Sequence, residues 1–183
     1  METRITLTVD TREPWPHPWA RCLPEHVQLE RRKLDTGDFA LAGLSDGAVV
    51  ERKTVTDLLG CIGTGRDRFE RELVRGSVLP GFVVVVEGHL SDLLAETRAI
   101  HPASIIGTVA AWQRRYCGFV FAGRQCCAAE FAWRYLAGQV RDAERATTPP
   151  PGKESISHCE KAASFAMAKN RQGRDFERSA TQY

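Results

Sequence analysis

Lysine is nearly absent from the first 140 residues of this chain: Lys33 and Lys53 stand against fifteen arginines. A chain that takes arginine for ordinary positive charge, yet keeps a lysine inside a charged motif, has a use there for a compact ammonium rather than a planar fork. Long apolar runs are missing too. Nothing approaches the roughly 18 consecutive apolar residues of a membrane span, and the opening METRITLTVD has neither the basic region nor the apolar run of a signal peptide. The expectation is a soluble, intracellular protein, cytoplasmic or associated with the nucleoid. Cysteines 22, 61, 117, 126, 127 and 159 form no C-x-x-C pair, so neither a zinc site nor a disulfide framework is indicated, and they are expected to be reduced thiols, mostly filling the core. The five histidines are dispersed, and none is assigned to catalysis.

The 183 residues suit one domain, and 43% hydrophobic content can fill its core. The net charge of +2 does not by itself suggest a nucleic-acid partner, but the basic residues cluster at 31–33, 52–53, 66–75 and 114–115. RITLTVD (4–10) and VQLERRKL (27–34) alternate as half-buried strands do, separated by a loop whose four prolines argue against regular structure. TGDFAL (36–41) and AVVERK (48–53) flank a turn and read as a hairpin, which places Asp38 near Glu51. Thr54 and Asp57 form a T-x-x-D cap for the next helix, and 65–77 makes a second one. GFVVVVEG (81–88) reads as a buried central strand, followed by helices at 91–99 and 101–116, a short strand at 118–123, and a helix at 124–140 that is apolar almost all round. The predicted fold class is α/β: a mixed central sheet flanked by helices, with a domain over 1–145. Residues 146–183 read as a Pro-rich linker and polar tail, with one weak helix near 158–170.

The stretch VVERKTVTD (49–57) carries the chemistry. Two carboxylates converging from neighbouring strands, Asp38 and Glu51, suit Mg²⁺ or Mn²⁺, which take hard oxygen ligands and retain waters. Lys53 lies two residues beyond Glu51 and so on the same strand face, where it can orient an attacking water or meet charge building on phosphoryl oxygens. Arg52 points to the opposite face, though its carbonyl is within reach of the same metal.

Three segments, TVDTRE (8–13), TGDFAL (36–41) and VVERKTVTD (49–57), together resemble the nuclease domain of the XPF/Mus81-type structure-selective endonucleases, whose signature is G-D, a variable gap, then E-R-K-x-x-x-D. Every fixed position is present: Gly37-Asp38, Glu51-Arg52-Lys53 and Asp57, with the V-D-x-R-E element at Val9, Asp10, Arg12 and Glu13. The resemblance implies a restriction-endonuclease-like core and Mg²⁺- or Mn²⁺-dependent cutting of branched, flapped or forked DNA in repair or recombination. It assigns Asp38 and Glu51 to the metal, Lys53 to catalysis, and Asp10, Arg12, Glu13, Arg52 and Asp57 to supporting active-site positions. It also places an arginine at Arg66. Family members pair as dimers, usually with a helix-hairpin-helix module after the nuclease domain; no such module is readable in residues 141–183.

Plainer readings stand beside these. Asp57 serves equally as a cap, Asp38 as a turn residue, and Asp10 as a strand-end residue. Glu51 in a buried strand needs a partner, which an arginine could also supply. Arg66, Arg68, Arg71 and Arg75 form either a DNA-backbone contact or a solvated face paired to its own acids. Trp112, Tyr116, Phe131 and Trp133 are expected in the core or in a homodimer interface over 102–140. Two alternative functions stay open: a non-catalytic DNA-binding or scaffold subunit, and a nuclease acting on plain duplex DNA.

Overall fold

Side chains that alternate in the sequence settle into a six-stranded mixed sheet. The computed structural model describes residues 4–96 and 99–147; the linker and tail, the helix expected near 158–170 and Cys159 lie outside the described residues. Residues 1–144 form one compact unit, and 145–183 a second, of which only the end of the last helix is described. Strands β1 (Ile5–Val9) and β2 (Val27–Arg31) run parallel, with Leu7 opposite Leu29. The hairpin is formed by β3 (Phe39–Leu41) and β4 (Ala48–Thr54), with Phe39 opposite Val50, and β3 also pairs antiparallel with β1. Strands β5 (Gly81–Glu87) and β6 (Gly118–Phe121) extend the sheet in parallel, giving the order β2-β1-β3-β4-β5-β6. The short 42–47 connection suits an antiparallel turn, whereas each parallel step is reached through a longer crossover.

Helices α1 (Val55–Ile62), α2 (Arg66–Gly76), α3 (Leu90–Ala95) and α4 (Pro102–Arg115) cover one sheet face. Their apolar residues Leu58, Phe69, Leu73, Leu93, Ile105 and Trp112 pack with Val49, Val84 and Val86. Phe69 and Leu73 are fully buried, and each such side chain contributes about 1.5–3 kcal/mol. That anchors α2 by one side and leaves Arg68, Arg71 and Arg75 exposed. Helix α5 (Gln125–Thr147) covers the other face, where Ala128, Ala132, Trp133 and Leu136 meet Leu7, Val50, Val83 and Val85.

Four expectations need correction. The proline-rich loop contains one turn of 3-10 helix at Pro18–Cys22; Pro18 sits in its first turn, where a missing N–H costs nothing, and the ring of His17 accepts from Trp19 N–H at 3.1 Å. Strand β2 stops at Arg31 rather than 34, because the main chain beyond it is held elsewhere: Leu34 N–H donates to the Asp10 carboxylate at 2.6 Å. Helix α5 is two-sided, with Arg134 exposed and Phe131 and Tyr135 half-buried, so its apolar character is largely used within the domain. Cys22 and Cys126 are joined in a disulfide, 104 residues apart in sequence, tying the 3-10 turn to the start of α5. Of the other described cysteines, Cys61 and Cys117 are buried free thiols and Cys127 is exposed. No described helix is long and apolar enough to cross a membrane.

Candidate active site

Strand β4 changes character half-way along. Ala48, Val49 and Val50 are buried between the layers; Glu51, still only 2% exposed, follows them, and the strand then emerges through Arg52 and Lys53. Opposite the change lies Gly37, whose φ of +76° favours glycine and where a Cβ would stand 3.0 Å from the Val49 side chain. That turn delivers Asp38 to the end of β3. The Asp38 N–H donates to the Val50 carbonyl at 2.8 Å, and its carboxylate accepts from the Arg52 N–H at 2.8 Å. Asp38 is thereby clamped across the hairpin beside Glu51.

Two carboxylates and one ammonium meet at this end of β4. Burial pushes the Glu51 carboxyl above its ordinary range, partly offset by Lys53, whose ammonium contacts Glu51 Oε1 directly. Burial and then the Glu51 charge push Asp38 well above the ordinary value of 3.8. Lys53 is pulled down by burial, but Glu51 and Asp38 outweigh this and hold it protonated; its Nζ also lies 5.1 Å from the centre of the Phe69 ring on α2. Lys53 is thus a fixed positive charge, suited to donating hydrogen bonds rather than accepting a proton.

The other motif residues form two supporting sets. Asp10, fully buried, accepts from the Arg12 N–H at 2.8 Å, from Arg12 Nε at 2.5 Å and from Leu34 N–H at 2.6 Å. Burial raises its pKa, but these donors outweigh it and the net shift is downward. Asp10 therefore shapes the loop after β1, while Arg12 lies close enough to feel the charges of Asp38 and Glu72. Glu13 contacts Arg52 Nη1 at 3.4 Å and His17 Nε2 at 3.0 Å. Asp57 is exposed in the first turn of α1, which Thr54 caps: the Asp57 N–H donates to Thr54 Oγ1 at 3.1 Å, and the Asp57 carboxylate accepts from that hydroxyl at 2.7 Å and so orients it. Arg66 turns away toward α4, donating to Thr108 Oγ1 at 2.6 Å and lying over the Trp112 ring, so α2 offers Arg68, Arg71 and Arg75 rather than all four arginines.

Sequence reasoning passed over Glu87, His17 and Trp19. Glu87 ends the buried run of β5, and the argument that singled out Glu51, a carboxylate after several valines, applies to it equally. It accepts from Arg52 Nε at 2.8 Å, Arg52 Nη2 at 3.0 Å and Trp19 Nε1 at 2.5 Å.

Among the described residues, no three carboxylate, histidine or cysteine side chains group into a closed metal cage. The donor chemistry nevertheless fits a hard cation that keeps several of its own waters: two oxygen ligands, each disfavoured as an anion by burial.

The model of the ERCC4 domain matches residues 9–122, from the last residue of β1 to just past β6, a span that includes Asp10, Asp38, Glu51, Lys53 and Asp57. The chain belongs to the ERCC4 domain family, the XPF-type nuclease family. Among solved structures the chain is similar to XPF from Aeropyrum pernix, with 23% identity and a TM-score of 0.63 over 77% of this chain and 68% of that one. It is also similar to XPF from Aeropyrum pernix in complex with DNA, with 22% identity and a TM-score of 0.62 over 76% of this chain and 66% of that one. This likeness shows the XPF nuclease fold: a mixed sheet with helices on both faces. No curated protein sequence matches the chain.

The two motif aspartates should respond oppositely to loss of charge. Asp10, with its depressed pKa, stabilises the fold above its unfolded value of about 3.8 and loses that contribution as pH falls through its lower folded value. Asp38, with its raised pKa, is neutral and harmless in acid and becomes a cost as pH rises through its higher folded value. In EDTA at neutral pH, Asp10→Asn should lower stability by about 1–3 kcal/mol, because an amide N–H₂ would face other donors. Asp38→Asn should raise stability, with the gain vanishing in acid. Denaturant melts across pH check both signs.

Proposed function

We propose that this ERCC4 domain is a divalent-metal-dependent DNA endonuclease that hydrolyses phosphodiester bonds at branched, flapped or forked DNA, in repair or recombination. The observation that carries the reading is the convergence of Asp38, Glu51 and protonated Lys53 at one end of β4. The proposed metal ligands are the carboxylates of Asp38 and Glu51, with the main-chain carbonyl of Arg52 as a third oxygen and Mg²⁺ or Mn²⁺ as the cation. When bound, such an ion polarises the scissile phosphate and lowers the pKa of a water.

The chain's own groups do the rest. Glu51 and Asp38 place two buried carboxylates beside the single ammonium of Lys53, a combination that a bound cation would balance. Lys53, kept protonated beside them, donates toward the attacking water or the phosphoryl oxygens, an electrostatic role that needs no change in its own protonation. Arg12, exposed and close to the same charges, stands at the mouth of the site. Helix α2, which brings Phe69 to Lys53, also carries the exposed Arg68, Arg71 and Arg75, and these are the proposed contacts to the phosphate backbone. That a related fold is known in complex with DNA supports the choice of polymer.

A second copy of the chain is the proposed partner of the 102–140 region. Exposed Ile106 and Leu90, beside Val109 and Phe121, form an apolar groove where α4 meets β6, and a homodimer would cover it. A dimeric mass by light scattering at micromolar concentration is expected; a monomeric mass removes the dimer.

Lys53→Ala should cut a flap substrate at least about 100-fold more slowly than wild type in matched Mg²⁺, the range lost with one electrostatic donor, with DNA affinity little changed. A panel of flap, fork, four-way junction and plain duplex DNA checks the substrate: equal cutting of plain duplex would replace branched DNA in this proposal, and unimpaired cutting by Lys53→Ala would end it.

A further inference from the structure

The back of β4 carries a buried polar network that the proposed chemistry does not touch. The Arg52 side chain points away from Asp38 and Glu51 and is gripped by both oxygens of Glu87, at 2.8 and 3.0 Å. The same carboxylate accepts from the indole N–H of Trp19 at 2.5 Å and from the side chain of Gln125 at the start of α5. The remaining Arg52 nitrogen, Nη1, faces Glu13 at 3.4 Å. Glu13 in turn meets the fully buried ring of His17 at 3.0 Å, and that ring packs edge-on against both Trp19 and Phe39.

The position of Arg52 makes this grip consequential. Strand β3 pairs with β4 only at Val49 and Val50; beyond them, β5 is the sole neighbouring strand and the Asp38 carboxylate holds the other side through the Arg52 N–H. The segment that bears Glu51, Arg52 and Lys53 is therefore short of main-chain support on one edge. A bidentate carboxylate fixes a guanidinium in plane as well as in place, which a single hydrogen bond does not. We infer that Glu87 is a positioning residue for the site: by holding Arg52 from behind, it fixes the Arg52 N–H that clamps Asp38, and it keeps Glu13 against the same strand. Its catalytic consequence rests on the nuclease reading; its effect on Arg52 does not.

The test uses the full chain carrying Glu87→Gln, which keeps the shape and an acceptor for Trp19 but removes the ion pair. In metal-free, DNA-free protein, the amide-proton chemical shift of Arg52 reads its bond to Asp38, and it should move upfield in the variant. In Mg²⁺ with flap DNA, kcat should fall on the order of tenfold, the scale of a sub-ångström misplacement, while KM stays within about twofold. A role in stability alone would lower the melting temperature and leave the Arg52 amide signal and kcat at their wild-type values; that result overturns the inference. If Glu87→Gln does not fold, Trp19→Phe removes one donor to Glu87 and should shift the Arg52 amide in the same direction by less, and an unmoved signal overturns it. If wild type does not cut DNA at all, the nuclease reading fails, and the amide shift alone decides the positioning role.

Discussion

Glu51 sits 2% exposed at the point where β4 leaves the core, and an ionised carboxylate there costs several kcal/mol unless another charge meets it. Much of the local structure follows from that need. Lys53 returns to Glu51 on the same strand face, which is possible because side chains two residues apart point the same way. Asp38 arrives from the neighbouring strand and makes the imbalance worse, since its own carboxyl is pushed up by burial and by Glu51. One ammonium against two carboxylates leaves a deficit of positive charge where the sheet opens to solvent. A buried ion pair is often no more stabilising than apolar residues of similar volume, so stability alone does not account for Glu51 here.

The two faces of β4 handle charge differently. On the back face Arg52 is saturated: Glu87 takes two of its donors, Glu13 faces the third nitrogen, and Trp19 and His17 hold those acids in turn. On the front face the carboxylates of Asp38 and Glu51 share the one ammonium of Lys53. Alternation along a single strand separates the network around Arg52 from an acid-rich pair by the thickness of a backbone. The disulfide between Cys22 and Cys126 closes the back side further, joining the 3-10 turn that carries Trp19 to the helix that carries Gln125.

How much of this could be read in the sequence depended on distance along the chain. The hairpin, the shared face of Glu51 and Lys53, the turn of Arg52 to the opposite face and the Thr54 cap all follow from periods of two and three to four residues, and all are present. The G-D and E-R-K motif likewise carries the resemblance to the XPF/Mus81-type nucleases, and the ERCC4 match bears it out. Contacts made by the tertiary fold were hidden. Cys22 and Cys126 are 104 residues apart, Trp19 and Glu87 are 68 apart, and no local pattern announces either pairing. Arg66 looked like one of four equivalent arginines at helical spacing, but only the packing of α4 against α2 shows that it is engaged with Thr108 and Trp112. Helix α5 read as apolar all round because alanines cannot reveal which side faces the sheet.

The central claim is that the Asp38–Glu51 pair exists to hold a divalent cation, and the most direct measurement is a Mn²⁺ titration of the metal-free, DNA-free protein followed by electron paramagnetic resonance. The account predicts one site per chain, lost in both Asp38→Asn and Glu51→Gln and retained in Asp57→Asn, the residue whose carboxylate is taken up by the hydroxyl of the capping Thr54. Mn²⁺ binding that survives removal of both Asp38 and Glu51, or that is absent from the wild-type protein, would contradict it.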